Sequence, residues 1–180
     1  MTIWLISDTH LFHANFLKFR SEEGHQIRPF ASVEEMNECM CDHWAQTVKV
    51  GDHVYHLGDV ALQCSSLQCA EVIKKLPGHK RLVRGNHDRF KTMQYVRMGF
   101  EEIHGMHCVG NVWVSHAPLH PDSLGSKRLG NAHGHIHERP SPPGRYVNMC
   151  VERWNYTPVS IDSVRTLLEE KGVDNAQGLE

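Results

Sequence analysis

The chain has 180 residues, enough for one domain with a real hydrophobic core and no need of covalent staples. Nineteen Lys and Arg stand against 21 Asp and Glu, a formal charge of −2, so no global basic field draws the chain to duplex nucleic acid or an anionic membrane. Its six cysteines include no Cys-x-x-Cys pair, which argues against a zinc ribbon or a thioredoxin-like site and for free thiols.

In chain order, Ile3 to Ser7 reads as a strand buried on both faces, starting at once with no basic, cleavable leader. No apolar run approaches the roughly 20 residues of a membrane helix, so a soluble, cytoplasmic protein is expected. Leu11 to Phe30 is a polar connection bearing aromatics. Ser32 then caps a helix, with Glu35 three residues on and Val33, Met36, Met40, Trp44 and Val48 as its buried stripe. His53 to Leu57 predicts a strand, Leu67 to Leu76 a helix stopped by Pro77-Gly78, and Arg81 to Val83 another strand. A short helix follows over Phe90 to Arg97.

Segments near Phe100 to Ile103, His107 to Val109 and Val112 to Ser115 are short enough to be strands of a second sheet. Ala117 to Asn131 reads as a loop, Ala132 to His135 as a strand end, Arg145 to Val151 as a strand, and Ser163 to Lys171 as a closing helix. The pattern predicts an α/β fold: a four-layer α/β/β/α sandwich of two packed mixed sheets with flanking helices, one domain over 1–171, and a disordered tail over 172–180.

Five clusters carry the chemistry, each where a strand runs into a loop: Asp8-Thr9-His10, Gly58-Asp59, Gly85-Asn86-His87-Asp88, Ser115-His116 and Gly134-His135-Ile136-His137. Asp, His and Asn hold hard-to-borderline divalent metals. Residues two apart in an extended segment point the same way, so Asp8 with His10, and His135 with His137, can each address one site. Any one cluster is unremarkable alone. Their joint order at strand ends, where α/β folds gather ligands, is not. Six further histidines, His25, His43, His53, His79, His104 and His107, lie outside any tight cluster and read as surface or satisfied polar residues.

The series resembles the calcineurin-like metallophosphoesterase superfamily from Asp8 to His137 and, through the closing strands, over almost the whole chain, with all five motifs intact. Asp8 to Asn15 with Arg28-Pro29-Phe30 further resembles its small bacterial and phage-borne predicted phosphoesterases. The resemblance implies one metal on Asp8, His10, Asp59 and His137, and a second on Asp59, Asn86, His116 and His135. It also implies hydrolysis of a phosphodiester or phosphomonoester by a hydroxide shared between two ions about 3.5–4 Å apart. His87 would stabilise charge or protonate the leaving oxygen, with Asp88 orienting it. Mixed N and O ligands admit iron, zinc, nickel or cobalt; the resemblance puts manganese first. His13, Arg28 and Arg89 are candidate substrate contacts, the two arginines as phosphate forks.

The protein Ser/Thr phosphatases of that superfamily carry Asp-Arg-Gly shortly after Gly-Asp, whereas Val60-Ala61-Leu62-Gln63 follow here. The expected partner is a small phosphorylated molecule, such as a nucleotide or a single-stranded nucleic-acid end, and not a membrane; the sequence assigns no oligomeric state. The alternative, a catalytically silent scaffold of the same fold, is disfavoured because His87 and every proposed ligand are present.

Overall fold

The structure, a computed structural model, describes residues 1–177, the side chains beyond residue 172 excepted. Strands β1 (Ile3–Ile6), β2 (His53–His56), β3 (His79–Val83) and β4 (Phe100–His104) run parallel side by side in the order 4-3-2-1. A second sheet holds β5 (Met106–Val109), β6 (Val112–Ser115), β7 (Gly130–His133) and β8 (Tyr146–Asn148), antiparallel at its first pair and parallel after it. β9 (Val159–Ser160) closes the first sheet antiparallel to β1. Both sheets are therefore mixed.

One correction concerns Phe100 to Ile103. The sequence groups this segment with the second sheet, but as β4 it pairs with β3 in the first. The short helix α3 (Thr92–Arg97) carries the chain back to the free edge of β3, where Phe100 enters the core under the helices.

The central strands feed two cores by alternation. Trp4 and Ile6, Val54, and Leu82 pack with α1 (Val33–Thr47) and α2 (Ser66–Ile73), whose Met36, Met40, Trp44, Cys69 and Ile73 are buried. Leu5, Tyr55, Leu57 and Val83 face the second sheet, meeting Val112, Val114, Ala132 and Val147 together with Val164 and Leu168 of α4 (Ile161–Gln177). This two-sided burial accounts for the near-continuous apolar runs of β1 and β2.

The helix stripe on α1 follows the predicted spacing. Its Ser32 cap accepts from Glu35 N, while the Glu35 carboxylate reaches back to Ala31 N. α2 starts on a full capping box, Ser65 with Gln68, and so begins at Ser66, one residue before the start predicted from its apolar residues. α4 passes Gly172, where the sequence predicts order to end; residues 178–180 of that predicted tail lie outside the described residues. Among the described residues no helix is long and apolar enough to cross a membrane.

The carboxyl ends of β1, β2, β3, β6 and β7 open on one side of the sandwich. The loops after β1 and β2 continue as a zipper: Asp8 N, His10 N and Leu11 N donate to Gly58 O, Asp59 O and Val60 O, each at 3.0 Å. Gly134 N donates to His116 O at 2.7 Å, and Val151 N to Ser7 O at 3.2 Å, which joins the two sheets there.

Candidate metal centre

Five of the seven predicted ligands stand in the left-handed backbone region: Asp8 (φ 58°), His10 (45°), Asp59 (57°), His135 (75°) and His137 (52°). Each costs on the order of 1 kcal/mol, and such strain persists only where the surroundings over-determine it. Here strand ends turn sharply to aim side chains into one space, and glycines let the turns nest. A Cβ on Gly85 would collide with the Asp59 carboxylate, and one on Gly134 with Ser7 Oγ and Asp8 Oδ2.

The donor atoms form two groups that share one carboxylate. Asp8 Oδ2 is occupied by Ser7 Oγ (2.5 Å), His135 N (2.8 Å) and the Cys150 thiol (3.3 Å). Its Oδ1 is bare, 3.8 Å from His10 Nε2 and 4.0 Å from His137 Nε2. On the other side, His116 Nε2 lies 2.8 Å from Asn86 Oδ1 and 3.2 Å from His135 Nδ1, and Asn86 Oδ1 is 2.9 Å from His135 Nδ1. Between them, Asp59 Oδ2 is 3.5 Å from both His10 Nε2 and His116 Nε2.

These atoms fit divalent cations on the chemistry of the donors. His116 Nδ1–H donates to Leu57 O at 2.9 Å, which leaves Nε2 a bare lone pair facing other acceptors. Asp8 Oδ1 and both ring nitrogens of buried His10 have no partner within the protein. A buried polar atom left unpaired costs about 1–3 kcal/mol, so converging orphans ask for a positive centre. Burial, reinforced by the charge of Arg28, lowers the His10 pKa far below the imidazole range, and burial with neighbouring His116 lowers that of His135. Both rings are thus neutral, as ligands must be. Burial raises the Asp59 carboxyl above its ordinary value, a direction that a cation beside it would reverse.

His87 stands at the mouth. Its backbone N–H donates to Asp59 Oδ1 at 2.8 Å, its ring centre is 5.6 Å from that of His10, and its Nδ1 has no partner. Half-buried His13 lies 5.6 Å from His10, ring to ring, also with an unpartnered Nδ1. Arg89 is exposed and lines a cleft of about 140 Å³ with Gln63, Cys64, His87 and Phe90.

Two sequence expectations are corrected. Arg28 is not a substrate fork: it is completely buried, and its guanidinium is spent on Asp8 O, Thr9 O (2.7 Å) and the Glu152 carboxylate (2.6 Å). Asp88, expected to orient His87, makes no described contact with that ring. Its Oδ2 accepts from Asp59 N and Gly85 N, both at 2.8 Å, and its Oδ1 from Val60 N and Tyr95 Oη at 3.1 Å. It is a positioning residue that clamps the β2 and β3 loops together.

Sequence reading missed His56, hidden as an ordinary strand residue. Its Nδ1 accepts from Gly58 N (3.2 Å), so Nε2–H donates to Thr9 Oγ1 (2.9 Å), which donates to Val60 O (2.8 Å). This relay fixes the first two ligand loops relative to each other. Burial pushes the His56 pKa down to about 4, against the opposing pull of Asp88 and Asp8. The folded value lies below the unfolded one, so the unfolded chain binds the extra proton, and stability is full above about pH 6.5 and falls toward pH 4. His56 alone is expected to cost about 2 kcal/mol on going from pH 6.5 to pH 5. Urea unfolding of metal-free wild type and His56→Gln at both pH values checks this: the variant should lose that part of the decline.

Comparison with known proteins gives one family model, Calcineurin-like phosphoesterase, matched over residues 1–174. The chain is 34% identical over 179 residues to the uncharacterized protein MJ1445 of Methanocaldococcus jannaschii, covering 93% of this chain and 92% of that protein. It is 24% identical over 205 residues to the gene 66 protein of Mycobacterium phage D29, covering 93% and 96%. Among solved structures, the protein of unknown function AQ665 from Aquifex aeolicus superposes with a TM-score of 0.70 at 24% identity, over 92% of this chain and 98% of that one, and so shares the fold.

Proposed function

The chain belongs to the calcineurin-like phosphoesterases, metal-dependent hydrolases of phosphoester bonds, and we propose that it cleaves a small phosphodiester or a nucleotide at a dinuclear centre. One observation carries the reading: Asp59 Oδ2 lies 3.5 Å from His10 Nε2, which groups with Asp8 and His137, and 3.5 Å from His116 Nε2, which groups with Asn86 and His135. Two divalent cations, manganese first, with iron, zinc, nickel or cobalt fitting the same donors, would supply an activated water and a clamp for the phosphate oxygens.

The chain's own residues do the rest. The strained loops hold seven donors in place before any substrate arrives, so little reorganisation is left for the reaction. His87, fixed through its backbone to Asp59, presents an imidazole to the leaving oxygen and delivers its proton. The cleft beside it takes the group that leaves, with Arg89 at its rim and Phe90 as an apolar wall; this room favours a substrate larger than a bare phosphate monoester. All six cysteines are free thiols, which supports a reducing, cytoplasmic setting.

Metal-stripped protein titrated with manganese should hydrolyse bis-p-nitrophenyl phosphate faster than p-nitrophenyl phosphate. Monoester cleavage in excess would point instead to a phosphatase, and no metal-dependent turnover on either to a scaffold. His87→Ala is expected to lower kcat by about 10²–10⁴-fold while metal content, measured by elemental analysis, stays unchanged. Loss of metal in that variant would make His87 a ligand.

A further inference from the structure

Glu152 belongs to none of the five clusters, yet its side chain is only 4% exposed and lies directly behind the donor group. Its Oε1 accepts from His137 Nδ1 at 3.2 Å and from Arg28 Nη2 at 2.6 Å and Nε at 2.8 Å. Arg28 in turn donates to the carbonyls of Asp8 and Thr9, inside the loop that carries Asp8 and His10, and stacks over the Phe16 ring at 3.9 Å. Phe16 also packs on the rings of His10 and His137, 5.2 and 4.9 Å between centres. Resting on the dinuclear reading above, we propose that Arg28 and Glu152 form a buried positioning pair that presets His137 and the Asp8–His10 loop for the first cation.

The chemistry follows from which atoms are free. A carboxylate only accepts, so Glu152 holds a ring proton of His137 on Nδ1 and turns Nε2 toward Asp8 Oδ1 as the nitrogen that would meet a cation. Without Glu152 the exposed tautomer choice is open and the ring can turn. Arg28 balances the buried carboxylate and, with its other donors, holds the loop's carbonyls, so that Asp8 and His10 are fixed by the same group that fixes His137. One pair thereby sets three of the four donors of that group. The other group, on Asn86, His116 and His135, touches neither Arg28 nor Glu152 in any described contact.

This asymmetry is testable. In Glu152→Gln, manganese binding followed by calorimetry should show one of two sites weakened about 10–100-fold, the usual effect of losing such a support, with the other unchanged. In the metal-free protein, at a pH high enough to keep the His137 ring neutral, its ¹⁵N NMR should shift from the Nδ1–H toward the Nε2–H signature. Glu152→Asp should restore part of both. Should Glu152→Gln fold poorly, the double variant Arg28→Met/Glu152→Leu removes the pair without stranding a buried charge and takes the same two measurements. Two sites of wild-type affinity and an unchanged His137 tautomer in a folded variant would overturn the proposal. Wild-type protein that binds no manganese would instead defeat the dinuclear reading, leaving the tautomer measurement to decide the pair's role.

Discussion

Asp59→Asn is expected to reduce turnover by about 10³-fold or more while the protein stays folded. The reason lies in the occupancy of both carboxylate oxygens. Oδ1 accepts the His87 backbone N–H at 2.8 Å, and Oδ2 is the atom shared at 3.5 Å between His10 and His116. An amide has one oxygen. If it keeps the bond to His87, an NH₂ group faces the bare imidazole nitrogens and any cation beside them; if it is flipped, two N–H groups collide at His87. The fold survives because burial already disfavours the Asp59 charge, so neutralising it relieves metal-free protein. Two signatures should therefore part company. The metal-free midpoint should be no lower than wild type, while the stabilisation gained on adding manganese, about 3 kcal/mol at a hundredfold excess over Kd, should largely vanish. Near-normal turnover would remove Asp59 from the shared position.

Why that site was legible in the sequence, and its support was not, is a matter of range. Each donor cluster is a local pattern of two to four residues after an apolar run, and the parallel strands bring such patterns to one end of a sheet whatever the loops between them do. That logic places the clusters holding Asp8, Asp59, Asn86 and His116 at strand ends; which donor serves which cation is what the family resemblance implies. Arg28 is not legible in this way, because an arginine in a polar connection is ordinarily exposed and the carboxylate that it is buried against lies 124 residues away with no spacing to announce it. His56 was overlooked for a related reason: alternation along β2 marks it as inward-facing, but not that it would span from Gly58 to Thr9. β4 was placed in the wrong sheet because a five-residue strand does not encode which of two edges it will meet. Motifs are local, whereas the contacts that aim them are not.

Gly58→Ala should be among the most damaging single methyl additions in the chain's interior. Gly58 has φ +100°, and an added Cβ would lie 2.6 Å from Gly85 N, 2.7 Å from Gly85 Cα and 2.7 Å from His116 Nδ1. None of these is a flexible side-chain end. Gly85 is held through its N–H by Asp88, and His116 through Nδ1–H by Leu57 O. Gly58 cannot retreat, since its carbonyl accepts from Asp8 N at 3.0 Å and its N–H is bound by His56. Backbone strain of about 1–2 kcal/mol adds to overpacking of about 1–3 kcal/mol, so a loss of about 3–4 kcal/mol is expected. For a chain of this size that lowers the midpoint by about 10 °C. The fraction that still folds must displace His116 or the Gly85 loop, so manganese affinity and turnover should drop with it. Gly51→Ala is the control: nothing lies within 4 Å of its Cβ, and it should be neutral or slightly stabilising. If both variants melt alike and bind manganese alike, the close nesting of the β2, β3 and β6 ends does not hold the centre together.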